Sequence, residues 1–545
     1  MSNTAATSPA WDYLIVTASN ELQARAYTTQ LSLRQQLGLL PTIGTALVVA
    51  DPGGKRVGSG GSTLFCLIEV LQREAKRYGV NLGDWTGVER LLKAVRVLII
   101  HAGGDSRRLP AYGPCGKIFV PVPGESKSAL GLSLFDRQLP IFAALPDHGA
   151  GDGQVVVTSG DALIQFDASE VRLAPSGITA LGDYATPEAA SKHGVFCVEP
   201  DGATRLYLQK PKPEEQVRLG AINNAGKSVL DIGVMSFDGS TAAALLKAFE
   251  VQADAAGHLA FSPRMEQAVM NQGLDIYREV LCALGRDATV AHHRSQAKSA
   301  GSAWAPELLA AMFSILNRMP LRTQVLSRCS FLHFGTTRQL IQSGHTLVRQ
   351  DLGTLPADGQ LLLNNAREER GGVTGKNCWV EGCRLDALLT LAGDNVVVGI
   401  DVVAPLQLQP GQCLDVVEGF SRSQQPGFFI RPHGIGDTFK DPAVAKGTFC
   451  GQPILEWLAA VGAEPADIWE AAIPADKYSL WDARVFPVVR EATGYRDWLW
   501  MFNPAQATPE QKRAFLAADR YSSAEIALQA NQDAFYERRA QLRRA

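Results

Sequence analysis

Val95-Arg96-Val97-Leu98-Ile99-Ile100 runs directly into His101-Ala102-Gly103-Gly104-Asp105-Ser106-Arg107-Arg108-Leu109-Pro110, and Gly116-Lys117 follows shortly after. The hexapeptide is apolar almost throughout, as a strand buried on both faces of a parallel sheet is. It ends in consecutive glycines and emerges at two arginines and a lysine. That combination suits a triphosphate, because glycines admit close backbone approach, exposed N–H groups accept anions, and guanidinium forks bind phosphate oxygens. A glycine turn flanked by solvated arginines is the bland alternative; the strand before the loop and Lys117 after it speak against it.

Working outward, the same strand-to-loop pattern recurs. Thr45 to Ala50 reads as a short strand ended by Asp51-Pro52-Gly53-Gly54, and Gly58-Ser59-Gly60-Gly61-Ser62-Thr63 opens a helix with Leu64, Leu67, Ile68 and Leu71 on one face. Val155 to Thr158 is another apolar strand, followed by Gly160-Asp161. Leu14 to Leu40 reads as helical. Strands alternating with amphipathic helices over Leu40 to about Gly285 predict an α/β domain on a mainly parallel, Rossmann-like sheet, with ligands at the carboxyl ends of the strands. Asp161 then lies at the ligand edge, where a hard carboxylate suits Mg²⁺ beside phosphates. Further along, His193-Gly194-Val195-Phe196, Leu208-Gln209-Lys210-Pro211 and Leu230-Asp231-Ile232-Gly233-Val234 place small or cationic residues beside apolar strands.

A second module has a different period. Counting in sixes from Val373 gives Val373, Trp379, Leu385, Leu391, Val397 and Val403, all apolar, with Gly375, Gly393, Gly399 and Gly411 sharing one phase. A hexad run predicts a β-helix, whose stacked coils turn one apolar residue inward per face. The pattern fades beyond Pro410, and helical stretches follow around Ile454 to Val461 and Ala507 to Arg544. The expected organisation is an α/β nucleotidyltransferase-like domain over 1–325, a left-handed β-helix-like domain over 326–445 and a mostly helical region over 446–545.

The bulk numbers agree. At 545 residues the chain exceeds one hydrophobic core, and about three modules follow from roughly 150 residues per domain. Its 52 basic and 55 acidic side chains nearly cancel, so no field for nucleic acid or membrane arises. The first residues lack a basic, then apolar, leader, and no apolar run approaches the roughly 20 residues of a membrane span, so a cytoplasmic protein is expected. Nine scattered cysteines without a CxxC pair read as buried small hydrophobes. Adjacent His292 and His293 in an Arg-flanked stretch read as surface residues. Oligomeric state is left open.

Taken together, the glycine loop with arginine and lysine, then Gly160-Asp161, then Lys210-Pro211, then a glycine-bearing strand resemble the sugar-nucleotidyltransferase superfamily. Within it the run His101 to Lys117 is similar to the L-fucose-1-phosphate guanylyltransferase (GDP-L-fucose pyrophosphorylase) family, which reads strand, His, small residue, Gly-Gly-x-Ser-x-Arg, Pro, Gly-Lys. The likeness extends to Gly58 to Thr63, Phe429-Ile430-Arg431, Gly434-Ile435-Gly436-Asp437-Thr438 and Leu480-Trp481-Asp482-Ala483-Arg484. Ser106 and Arg107 replace the small pair usual in the wider superfamily, which implies a differently shaped phosphate loop.

The resemblance implies GTP and L-fucose-1-phosphate as substrates and GDP-L-fucose and pyrophosphate as products. Arg108 and Lys117 would neutralise the leaving group, with Arg107 auxiliary. Lys210 would meet the acceptor phosphate, Asp161 would hold Mg²⁺, and Gly103, Gly104 and Ser106 would line the nucleotide site. A second metal ligand is open among Asp231, Asp275 and Glu279. Some members carry a fused sugar kinase with a glycine-serine phosphate loop, and no such loop occurs in this sequence. Two alternatives stand beside this expectation: the same chemistry on another sugar-1-phosphate or UTP, and a non-catalytic sugar-nucleotide-binding scaffold.

Overall fold

The computed structural model describes residues 10–104, 106–149 and 151–544. The chain divides into two compact units that are discontinuous in sequence. The first comprises Gln138–Gly160 and Ile164–Phe331 together with the N-terminal part up to Gly104; the second comprises Asp105–Arg137, Asp161–Leu163 and the segment from Leu332 onward. The last of these seams falls between Phe331 and Leu332. The loop after Gly104 and residues 161–163, by contrast, group with the C-terminal part.

In the first unit a sheet of nine strands has the order Leu321–Val325, Ile178–Ala185, Ser228–Phe237, Gln154–Ser159, Arg96–His101, Trp11–Ala18, Ile43–Ala50, with Gly194–Val198 and Thr204–Gln209 attached beside Ser228–Phe237. Its half from Gln154–Ser159 to Ile43–Ala50 is parallel. Ser228–Phe237 then runs antiparallel to both of its long neighbours, so the sheet is mixed rather than mainly parallel. Val97, Leu98, Ile99 and Ile100 are completely buried, as their unbroken apolar run requires. Leu64, Leu67, Ile68 and Leu71 of helix Gly58–Tyr78 pack into the same core.

One expectation is corrected here. Leu14 to Leu40 is not one helix: Trp11–Ala18 is a strand paired on both sides, and the helix spans Glu21–Gln36. Leu14-Ile15-Val16 is an aliphatic run with two β-branched residues, buried in mid-sheet, and Asn20 caps the helix by accepting from the Gln23 amide at 2.9 Å.

The second unit contains three ladders visited in rotation. Gln360–Leu363, Cys378–Glu381, Asn395–Val398 and the start of Gln412–Phe420 form one, and two three-stranded ladders complete each turn. All these pairings are parallel. Val380 pairs with Val397 and Val397 with Leu414, so one turn takes 17 residues there. A strict hexad implies 18, and this mismatch decides where the count fails: Val402 is buried whereas Val403 is 50% exposed. Gly375 sits at φ +111°, and a Cβ there would lie 1.7 Å from the Leu391 carbonyl oxygen, so a stacked coil excludes any side chain.

Past the coils, Gln412–Phe420 and Pro426–Gly434 form an antiparallel hairpin extended by Phe486–Val489 and Arg520–Tyr521. Helices Ile454–Val461, Pro509–Ala517, Ser523–Gln529 and Gln532–Arg544 accompany it. Seven of the nine cysteines are buried thiols, and all nine are unpaired. Among the described residues no helix is long and apolar enough to cross a membrane.

Candidate phosphate-binding site

Strand Arg96–His101 delivers the loop. His101 is half-buried, desolvation lowers its imidazole pKa to about 4, and its Nε2 lies 3.0 Å from the Thr63 hydroxyl of helix Gly58–Tyr78. That hydroxyl donates to the Ser59 carbonyl at 2.9 Å, so it accepts from a neutral, Nε2-protonated ring. The Gly60 and Gly61 amides donate to the Leu274 carbonyl at 2.8 and 3.1 Å. The Gly58 to Thr63 cluster therefore serves close packing within its own unit.

The predicted loop residues divide between the units. Gly103 and Gly104 close the first. Gly104 takes φ +120°, with open space where a Cβ would stand, so the backbone conformation rather than crowding calls for glycine. Asp105 lies outside the described residues. In the second unit Ser106 takes φ +53° and is only 3% exposed. Its hydroxyl has no hydrogen-bond partner among the described residues. A strained, left-handed serine with an unsatisfied buried hydroxyl is costly unless a ligand uses it.

Arg107 lies with its guanidinium carbon 5.6 Å from the Trp481 ring centre, and Arg108 is exposed while its carbonyl accepts from the Thr337 amide at 3.0 Å. Lys117 Nζ meets Asp161 Oδ2 at 3.2 Å, with side-chain exposures of 16% and 40%. His333 lies in the combined field of these groups. Burial lowers its pKa, Asp161 opposes that shift, and Arg108 and Lys117 add to it. The structure thus brings Arg108, Lys117 and Asp161 together, and it adds His333, which the sequence reading missed. Its signal was faint: in Phe331-Leu332-His333-Phe334-Gly335 a histidine again ends a strand shortly before a glycine, but Phe334 stands where the first loop has Ala102.

Lys210 belongs to the first unit. It is exposed at φ +52° immediately before Pro211, a position disfavoured for a non-glycine residue, and its amide donates to the His193 carbonyl at 3.0 Å. In the same unit Asp231 accepts from the Tyr207 hydroxyl at 2.9 Å and from the Gly233 amide at 2.7 Å. Burial raises its pKa to about 6 against those bonds. Asp275 accepts from the Tyr277 and Arg278 amides, and Glu279 is a buried partner of Arg278 at 2.6 Å. All three carboxylates considered as a second metal ligand are thus engaged by protein donors. His293 is buried against Phe313 rather than on the surface, because its Nε2 reaches the Glu279 carbonyl at 2.9 Å.

Among the described residues no group of three His, Cys, Asp or Glu side chains could hold a metal ion. Asp161 offers one partly exposed carboxylate. That suffices for Mg²⁺ only where water and phosphate supply most of its oxygens, which is how Mg²⁺ commonly binds beside nucleotides.

A buried parallel strand that ends in consecutive glycines is a setting in which α/β proteins engage anions at the carboxyl edge of a sheet. The sequence model of the fucose pyrophosphorylase domain matches residues 89–491, and the chain belongs to that family. It is 27% identical over 504 residues to the bifunctional fucokinase/GDP-fucose pyrophosphorylase of Arabidopsis thaliana, covering 84% of this chain and 45% of that protein. To the L-fucokinase/L-fucose-1-P guanylyltransferase of Bacteroides fragilis it is 26% identical over 515 residues, covering 91% and 48%. To the fucose-1-phosphate guanylyltransferase of Homo sapiens it is 27% identical over 355 residues, covering 61% and 54%. The chain spans about half the length of these curated relatives.

Proposed function

We propose that the chain is a nucleotidyltransferase that joins GTP and L-fucose-1-phosphate into GDP-L-fucose and releases pyrophosphate. One observation carries the chemistry: Arg108, Lys117 and Asp161 share the field around His333, in the unit that holds the strained, buried Ser106. Family membership and the names of the relatives support the two substrates.

The sugar phosphate is an anion at neutral pH, so its oxygen attacks the α-phosphorus without a general base. The bond from that phosphorus to the bridging oxygen breaks, and pyrophosphate leaves with the electron pair. Catalysis is then positioning and charge neutralisation. Arg108 and Lys117 offset the charge growing on pyrophosphate, and Arg107 assists. The Ser106 hydroxyl donates to a phosphate oxygen. Asp161 would hold Mg²⁺, which when bound neutralises phosphate charge.

The same reading takes the stacked coils as a β-helix, supported by their parallel ladders, with a mostly helical part after them and a cytoplasmic location. A pyrophosphate-release assay crossing four nucleoside triphosphates with a panel of sugar-1-phosphates tests the central claim. GTP with L-fucose-1-phosphate should give the highest kcat/KM. A higher value for another pair would displace these substrates, and no release from any pair would refute the activity.

A further inference from the structure

Pro110–Tyr112 is the tight turn that carries the chain from Ser106, Arg107 and Arg108 toward Lys117. Three segments remote in sequence hold it, all within the second unit. From strand Pro426–Gly434, Arg431 donates through Nη2 to the Pro110 carbonyl at 2.7 Å and through Nε to Asp415 at 2.7 Å. From the coils, Glu381 accepts the Tyr112 hydroxyl at 3.1 Å, and Trp379 donates its Nε1 to that hydroxyl at 2.8 Å. From helix Gln532–Arg544, Arg539 meets both oxygens of Glu381, at 2.9 and 2.6 Å, and Asn364 donates to Glu381 at 2.9 Å.

Arg431, Glu381, Arg539 and Tyr112 are all buried. Buried ion pairs are a weak source of net stability, since desolvation offsets much of their attraction, whereas their directional bonds fix geometry. Here that geometry ends on one main-chain carbonyl and one hydroxyl of the turn.

We propose that Arg431 and the Arg539–Glu381 pair are positioning residues, which hold Pro110–Tyr112 and through it set the placement of Arg107, Arg108 and Lys117. Its catalytic readout rests on the proposed function; its structural readout does not. The test compares wild type with Arg431→Lys, Arg431→Gln and Tyr112→Phe by amide exchange over residues 106–117, steady-state kinetics and thermal melting. Lysine retains a cation for Asp415 but lacks the fork that also reaches the Pro110 carbonyl.

Arg431→Lys should therefore melt near wild type while loop exchange rises about tenfold and saturating turnover falls roughly ten- to hundredfold, with KM changing less. Tyr112→Phe should show the same pattern more weakly. It also decides the matter if Arg431→Gln fails to fold. Wild-type exchange and turnover in folded Arg431→Lys and Tyr112→Phe would overturn the proposal. Should the wild type itself lack guanylyltransferase turnover, the proposed function fails while loop exchange still decides the clamp.

Discussion

Replacing Lys117 with Met removes a cation while keeping most of the side chain's length and apolar stem. In the folded protein Lys117 Nζ stands 3.2 Å from Asp161 Oδ2, and the carboxylate side chain is 40% exposed. At that separation the bare attraction spans about 1 kcal/mol in a water-like medium to about 5 kcal/mol at an effective dielectric of 20. The exposure of Asp161 places it toward the low end, and such a pair adds about 1 kcal/mol or less to stability. Lys117→Met should therefore stay folded, with a melting shift of no more than about 4 °C.

Turnover should respond far more. Charge grows on departing pyrophosphate, and a preplaced ammonium stabilises it more than it stabilises bound GTP. Loss of one such donor costs on the order of 10² to 10³ in kcat, about 3 to 4 kcal/mol. GTP affinity should fall less, about tenfold, since the loop arginines and backbone remain. The effects of Lys117→Met and Asp161→Asn should be non-additive, because the two side chains form one ion pair. Steady-state kinetics and direct GTP titration of the single and double variants measure this. If Lys117→Met weakens binding while saturating turnover is intact, Lys117 is a docking residue and the transition-state argument is wrong.

Asp161→Asn should raise the Mg²⁺ concentration needed for half-maximal activity at least tenfold; wild-type activity at low Mg²⁺ would remove Asp161 as the metal ligand. Ser106→Ala should weaken GTP binding about five- to tenfold without loss of melting temperature, because the hydroxyl has no partner to lose among the described residues; unchanged binding would leave that hydroxyl without a ligand role. The 545-residue chain should form no fucose-1-phosphate from fucose and ATP, since it holds no kinase-type phosphate loop, and detecting that product would contradict the sequence reading. For Asp231, burial raises the folded pKa to about 6 from an ordinary 3.8, so its protonated form favours folding below about pH 4 and that contribution is lost as pH rises through about 6. Asp231→Asn should flatten this slope by on the order of 3 kcal/mol. Parallel urea-stability profiles for the two proteins between pH 4 and pH 8 would refute it.

Much of the fold was legible because local chemistry and long-range role coincide. Val95 to Ile100 and Val155 to Thr158 are mostly apolar on both faces and bounded by turn residues, the pattern of a covered strand. Leu14 to Leu40 misled because its opening apolar run suits a helix or a buried strand equally, and periodicity does not separate the two over so few residues. The hexad reading found the right residues in Leu385, Leu391 and Val397, all buried in the coil core, but its period was one residue too long at the turn from Val380 to Val397. Register is a property of hydrogen bonding between coils, and it becomes visible only when Val380 is seen beside Val397.

The candidate site shows where local reading stops. Lys117 and Asp161 could be picked out because each follows a glycine at the end of an apolar segment, the setting in which a charged side chain has a reason to face a ligand. His333 carries the same signal more faintly, with Phe334 between the histidine and Gly335. Glu381 and Arg539 carry none, and Arg431 stands out only through the likeness at Phe429-Ile430-Arg431; nothing in the chain order says that the three gather about the turn at Pro110–Tyr112. Their burial answers a need that only the folded unit creates. Arg431 of the hairpin satisfies the turn's carbonyl, and Glu381 of the coils, itself held by Arg539 of the last helix, accepts the hydroxyl. A loop strained at Ser106 has to be held by rigid surroundings to persist, and in this unit those surroundings are supplied by residues hundreds of positions later in the chain.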